Sequence, residues 1–451
     1  MTERARCRTP WTRRAWLASA AALGTAACSR ADPRTIRFWA MGREGEVAAE
    51  LVAGFERENP GVRVRVEKLP WSAAHEKLLT AFAGDATPDV AQMGNTWLPE
   101  MAALGAIEPL QPLLDATPSI DPDDHFAGIW QTNRVNGVMV GMPWYVDTRL
   151  LFYRRDLIEQ VGFAEPPADW DAWLRCLAAL KAGPVATPIL LPTNEFEPLL
   201  ALALQQDGEL LRDGGRRGNF SGTGFRTALQ FYLQIFERGF APGVNNNQVA
   251  NLWQEFGRGT FAFYISGPWN IGEFKRRLPP ELQSSWATAP LPGPASGQGP
   301  GASIAGGASL VLFKRSGIKP LAWKLVEYLT RPAVQQQFYR LTGNLPPRRS
   351  TWALPLTNGA SLADDPHAKA FAQQLERVRP APAVPEWERI AQEMQLFAAR
   401  AAHQISAVDA AVNATVNATV NATVLALDAR VDTLLAKRRW MLDQTARPAA
   451  G

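Results

Sequence analysis

Carboxylates set beside aromatic rings are the side chains of this sequence best suited to chemistry. Glu44 follows a β-like run, Asp147 stands next to Trp144 and Tyr145, and Glu195 follows Pro192-Thr193-Asn194. Two carboxylates in a sugar cleft can hydrolyse a glycosidic bond, one as acid and one as base or nucleophile. The same oxygens serve equally well as acceptors for sugar hydroxyls in a site that turns nothing over, and spacing along the chain does not choose between the two. Other catalytic patterns are missing from the sequence. His75, His125, His367 and His403 stand at no metal-ligand spacing. There is neither a Gly-x-Ser-x-Gly elbow nor a Gly-rich phosphate loop ending in Lys-Ser or Lys-Thr. Asp121, Asp123, Asp124 and His125 are dense enough to suggest a cation. They lack the Gly and terminal Glu of a Ca²⁺ loop, and Pro122 marks them as a helix cap. No metal and no cofactor are expected.

The elements that must position these groups follow from periodicity. Thr35 to Ala40 reads as a strand, Met41 to Gly45 as a loop, and Glu46 to Asn59 as a helix with Val47, Leu51, Val52 and Phe55 on one face. Val62 to Val66 alternates as a strand, Ser72 to Ala83 is helical, Pro88 to Met93 is a strand, and Gly94 to Trp97 is its loop. Strands alternating with helices imply an α/β domain with a mostly parallel sheet. Ligands of such sheets bind where loops leave the carboxyl ends of strands, which puts Arg43, Glu44, Trp71, Asn95, Thr96 and Trp97 on one rim.

From about Gly137 the texture changes. A strand breaks at Trp144-Tyr145-Val146-Asp147, and Leu150 to Arg155 forms another. Asp169 to Lys181, Glu197 to Gln206 and Phe225 to Arg238 read as helices, with a Gly- and Arg-rich loop at 209–223. Phe261 to Ile265 is a strand that opens into Ser266-Gly267-Pro268-Trp269-Asn270. Residues 289–307 read as a connecting loop, Ser309 to Phe313 as a strand, Pro320 to Leu329 as a helix, and Leu345 to Arg348 as a rigid crossing. From Glu386 the pattern is helical nearly to the end. Within it lies a perfect Val-Asn-Ala-Thr repeat at 412–423, read as an expansion of a surface helix because so short a unit forms no solenoid.

Residues 1–27 carry the marks of a cleaved export signal: Arg4, Arg6, Arg8, Arg13 and Arg14, then a short Ala-rich apolar run. Thr12 to Leu17 resembles a twin-arginine signal. Thr25-Ala26-Ala27-Cys28 resembles a lipobox, which would make Cys28 the lipidated first residue of a periplasmic protein held at a membrane. The signal holds five Arg and one Glu, so removing it leaves 42 basic and 42 acidic residues. The basic pI therefore gives no support for nucleic-acid binding. Cys176 would be the remaining thiol, so no intrachain disulfide is expected and stability must come from the core. Fourteen of the sixteen Trp lie beyond the signal. Most belong in a core, but several flank Gly, Pro and polar residues where strands end, and an indole face suits stacking on a sugar ring.

Taken in order, these stretches resemble the extracellular solute-binding proteins of bacterial ABC importers, in the sugar-binding group that includes maltose-binding protein. The resemblance rests on Ala83 to Val90 before the third strand, on Gly141-Met142-Pro143 with Asp147 and Leu151 to Leu157, and on Gly257 to Phe263 with Gly267-Pro268-Trp269. Ile304 to Ser309 and Gly343 to Arg348 complete it. It implies two α/β lobes of the periplasmic-binding-protein fold with the ligand in the cleft between them. One lobe would take 34–145 and 290–345, the other 146–289 and 346–445. It implies Trp269 stacking on a sugar and Asp147 accepting from hydroxyls. Arg43, Glu44, Asn95, Thr96, Trp97, Gly306, Gly307, Arg348 and Trp387 would stand at family positions. Trp71, Trp144, Tyr145 and Glu195 are added from local position. The implied function is binding without catalysis of a small neutral sugar, such as a maltose- or trehalose-like disaccharide, by a monomer that hands it to an inner-membrane permease. A secreted carbohydrate-active enzyme using Asp147 with Glu44 or Glu195, and a binding protein for a non-sugar solute, stay open.

Overall fold

The computed structural model describes residues 34–183, 185–249, 251–356, 359–406 and 414–445. The signal at 1–27, Cys28 and the first residues of the repeat lie outside the described residues. The chain alternates β1 (Thr35–Met41), α1 (Gly42–Glu58), β2 (Arg63–Leu69), α2 (Trp71–Ala83) and β3 (Val90–Gly94), and later enters β4 (Met142–Asp147). Next come β5 (Leu150–Arg154), α3 (Trp170–Ala182), β6 (Ile189–Leu190), α4 (Glu197–Leu204) and α5 (Thr223–Glu237). They lead to β7 (Phe263–Ser266), α6 (Trp269–Arg277) and β8 (Trp286–Ala289). The remainder carries β9 (Ser303–Ile304), β10 (Gly306–Leu312), α7 (Lys319–Leu329), α8 (Pro332–Thr342), α9 (Pro366–Leu375) and β11 (Val378–Arg379). It ends in α10 (Trp387–Ser406), α11 (Ala414–Leu434) and α12 (Ala436–Thr445).

Two sheets organise two lobes. The first has the order β2-β1-β3-β10-β4. β1 is parallel to β2 and β3, whereas β10 runs antiparallel between β3 and β4. On the edge strand β2, Arg63, Arg65 and Glu67 are exposed and blunt the free edge against pairing with another chain. Behind the sheet, Leu51 and Phe55 of α1 meet Phe38 and the Ala322, Leu325 and Leu329 face of α7. Burial of each such large side chain contributes about 1.5–3 kcal/mol. The second sheet, β8-β5-β7-β6, is antiparallel except for the β7–β6 pair. Its core draws on Trp173, Leu177 and Leu180 of α3, Leu229 and Leu233 of α5, and Ile390 and Met394 of α10. Phe152, Phe274, Trp286 and Phe371 fill its other side.

The chain crosses from one sheet to the other where β4 passes into β5 through Thr148-Arg149, and from the second-lobe core back to the first sheet where β9, paired with β11, passes into β10 through Ala305. The backbone N–H of Val146 donates to the carbonyl of Leu345 (2.9 Å), which ties a third extended segment to the same place.

Several segments differ from the sequence expectation. The expected loop 289–307 holds β9 and the start of β10. α1 begins at Gly42, so Arg43 and Glu44 sit in its first turn instead of a loop. The expected loop 209–223 contains a small antiparallel ladder, Leu211–Arg212 with Arg217–Gly218. The repeat is not simply surface: its Val416 and Val420, with Val424 just after it, are buried in the second-lobe core. Asn417 accepts from Gln230 (3.2 Å) and Asn421 pairs with Arg226, both on α5. Val and Thr are weak helix formers, so packing of the Val row sustains this helix. Among the described residues no helix is long and apolar enough to cross a membrane.

Candidate functional site

Between the sheets lies a cavity of about 630 Å³, bounded on one side by the segments that follow the carboxyl ends of β1, β2 and β3. The first lobe supplies Arg43 and Glu44 from the opening turn of α1, Trp71 from the start of α2, and Asn95, Thr96 and Trp97 after β3. Trp71 and Trp97 meet edge to face at 5.7 Å, and Trp71 keeps 38% of its surface exposed to the cleft. Asn95 donates to the carbonyl of Ala305 (2.8 Å), fixing this loop to the β9–β10 crossing. Tyr145 and Asp147 come from β4, and Gly306 and Gly307 from β10 beside it. A Cβ on Gly306 would stand 2.0 Å from the carbonyl oxygen of Asp147, so only glycine lets the two crossings lie this close.

The second lobe closes the cavity with Arg149, Phe196, Glu197 and Leu200, with Trp269 and Glu273 of α6, and with Glu388 of α10. Arg149 is positioned through its backbone: Ser303 Oγ donates to its carbonyl (2.6 Å) and accepts from its N–H (3.2 Å). Its guanidinium pairs with Asp147 and with Glu197 (2.9 Å), and lies 4.8 Å from the centre of the Trp269 ring. Trp269 opens α6 immediately after Pro268. A Cβ on Gly267 would fall 1.9 Å from the Trp269 indole, so this glycine admits the ring.

Burial sets the electrostatics. The Glu44 carboxyl is pushed above its ordinary range by desolvation, against hydrogen bonds from Asn344 (2.6 Å), Tyr145 and Trp71 that favour its charged form. Desolvation likewise raises Asp147, with Arg149 pulling it down and Glu197 pushing it up. Glu388, on the second lobe, accepts a hydrogen bond from Thr96 Oγ on the first, and burial raises it too. Beside it, His75 packs on Trp97 at 5.0 Å and is held above the usual imidazole range chiefly by its hydrogen bond to Glu100 (2.7 Å). The cavity thus combines hydrogen-bond acceptors, the guanidinium groups of Arg43 and Arg149, and flat indole faces. Among the described residues no group of three or more His, Cys, Asp or Glu could hold a metal ion.

Four of the expected site residues lie elsewhere. Trp144 is fully buried, stacked on Phe338 at 4.4 Å in the first-lobe core, because strand alternation turns it away from the face that carries Tyr145. Trp387 is fully buried in the second-lobe core on the apolar stripe of α10. Its neighbour Glu388 faces the cleft instead. Arg348 is committed to Asp124 (2.7 Å) and to the carbonyls of Thr330 and Ser119. Glu195 turns to the Asn246 amide and lines no part of the cavity. In the acidic cluster, Asp121 caps its own turn by accepting from the Asp123 N–H (2.9 Å).

Sequence reasoning missed Arg149, Phe196, Glu197, Glu273, Asn344 and Glu388. The local signals were the return to polarity soon after Asp147 and directly after Trp387; Glu197 and Glu273 stand on helical turns that read as ordinary amphipathic surface, and Phe196 and Asn344 lie in short connections just outside helices.

Comparison with known proteins gives a consistent picture. The family described as bacterial extracellular solute-binding protein matches residues 41–336. The structure of the sugar-binding protein MalE from the phytopathogen Xanthomonas citri is 53% identical, covers 91% of this chain and 99% of its own, and superposes with a TM-score of 0.83. A putative binding protein of Brucella abortus is 27% identical over 81% of this chain and 88% of its own length. The maltodextrin-binding protein MdxE of Bacillus subtilis is 26% identical over 83% of this chain and 88% of its own length.

Proposed function

Because the chain belongs to the bacterial extracellular solute-binding protein family, we propose that it is the sugar-binding component of an ABC importer. It captures a small neutral sugar, a disaccharide of the maltose or trehalose kind, and delivers it unaltered to an inner-membrane permease. The observation that carries this reading is the shared lining of the cleft: Trp71 and Trp97 from one lobe and Trp269 from the other line one cavity together with Glu44, Asp147 and Glu197. Indoles cover the C–H faces of a pyranose while carboxylates and Asn344 take its hydroxyls. Each buried hydroxyl left unpaired would cost roughly 1–3 kcal/mol, so the number of acceptors sets selectivity. A hinge at the crossings closes the lobes on the ligand. The similarity to MalE of Xanthomonas citri and to the maltodextrin-binding MdxE supports the sugar class.

In this proposal the lobes divide at 34–145 with 290–345 and at 146–289 with 346–445. The mature protein is a monomer, exported by the signal at 1–27 and lipid-anchored through Cys28. Asp147 and Glu197 are drawn to one guanidinium, an arrangement that favours holding hydroxyls over acid–base exchange. A thermal-shift screen of mono- and disaccharides tests the assignment, with stabilisation by at least one disaccharide expected. Silence across the panel would remove the sugar reading. Release of monosaccharide, lost in Asp147→Asn, would establish the enzyme reading in its place. Labelled-lipid incorporation that survives Cys28→Ala would contradict the anchor.

A further inference from the structure

A second cavity, about 560 Å³, also straddles the two lobes and shares Asn95 and Thr96 with the sugar cleft. Its chemistry is of the opposite kind. Among the described residues its wall holds no aromatic ring and one carboxylate, Glu209, against three guanidinium groups. Arg134 belongs to the first lobe, in the small ladder Arg134–Val135 with Val138–Met139. Arg379 of β11 and Arg438 of α12 belong to the second. None of the three is paired with a carboxylate among the described residues. Arg134 donates only to the Gly137 carbonyl (3.0 Å), and Arg379 to the carbonyls of Leu204 (2.9 Å) and Gln206 (3.2 Å). Each keeps further N–H donors. Two donors on this wall, Arg438 Nε and Gln206 Nε2, are buried with no hydrogen-bond acceptor among the described residues. A buried donor without an acceptor is costly, and an arginine fork matches an oxyanion in shape and charge.

We propose that this cavity is a second ligand site, for a phosphate group carried on a sugar-sized solute or presented as the free ion. Three cations and the Gln206 amide call for a ligand with more than two acceptor oxygens and up to two negative charges, which a phosphate monoester provides. The volume, close to that of the sugar cleft, suits an organic phosphate better than a bare ion. Because Arg134 lines the cavity from one lobe and Arg379 and Arg438 from the other, an anion bound among them would relieve like-charge repulsion across the lobes and act on their arrangement. Sugar affinity must then change when the second site fills, by linkage.

Calorimetric titration of the purified protein with inorganic phosphate and with glucose 6-phosphate, at constant ionic strength, tests the site. The expected result is binding of glucose 6-phosphate that Arg134→Gln/Arg379→Gln weakens at least about tenfold, with the melting temperature nearly unchanged. Binding of both probes assigns the phosphate group alone, and binding of glucose 6-phosphate alone assigns a phosphorylated solute. No heat from either probe, or binding indifferent to the double substitution, overturns the proposal. Maltose or trehalose affinity should shift several-fold when glucose 6-phosphate is saturating, and an unchanged value would overturn the coupling. That readout rests on the sugar reading above, but phosphate binding does not, so the two can fail separately.

Discussion

The two lobes build their halves of the cleft by different means. The first places Glu44, Trp71 and Asn95 to Trp97 just past strand ends of a sheet whose first three strands are parallel. The second works from a mainly antiparallel sheet and fills its half with side chains on helices: Glu197 and Leu200 of α4, Trp269 and Glu273 of α6, Glu388 of α10. In the first lobe, position relative to a strand tells which residues line the cleft. In the second, only the angular position on a helix does, and adjacent residues take opposite fates, as Trp387 and Glu388 show.

Substitutions that separate core from cleft test this contrast most sharply. Trp387→Ala should lower stability by about 3–5 kcal/mol in a denaturant melt while leaving sugar affinity within about threefold. A large loss of affinity without loss of stability would place that ring in the site after all. Arg149→Ala leaves Asp147 and Glu197 without their shared cation and should cost about 2 kcal/mol of stability, reduced by the water that reaches both carboxylates. Trp269→Ala should weaken sugar binding by about ten- to thirtyfold in a titration, with the melting temperature nearly unchanged. Glu388→Ala removes the acceptor that Thr96 reaches across the cleft. It should weaken binding by about fivefold, and small-angle scattering should report a more open molecule.

The smallest effect is in pH and has a definite sign. Glu44, Asp147 and Glu388 all have carboxyls raised by burial, so they take up protons at a higher pH folded than unfolded. As pH falls through that raised range, stability should rise. Sugar affinity should fall a few-fold as acceptors protonate. Affinity and stability moving together across this window, measured by titration and melting at stepped pH, would contradict the roles given to these carboxylates.

Much of the first lobe was legible in the sequence because period-2 and period-3.6 patterns are clean there, and strand ends locate Arg43, Glu44, Asn95, Thr96 and Trp97. Antiparallel β10, inserted between β3 and β4 from far along the chain, was not, since strand pairing leaves no local trace. Trp144 was misplaced because an aromatic run such as Trp144-Tyr145 says nothing of which ring faces inward until the sheet's register is known. Arg348 looked like a site cation, yet its partner Asp124 is 224 positions away. Glu197 and Glu388 escaped notice because a Glu in a helix's first turn is ordinary dipole chemistry.

The most direct test is calorimetric titration of maltose and trehalose into the wild-type protein, Trp71→Ala and Trp269→Ala. If both lobes grip one sugar, the wild type binds one disaccharide per chain, with a negative heat-capacity change, and removing the indole from either lobe weakens binding. No heat from any sugar, or an affinity that ignores one of the two lobes, would contradict a ligand shared across the cleft.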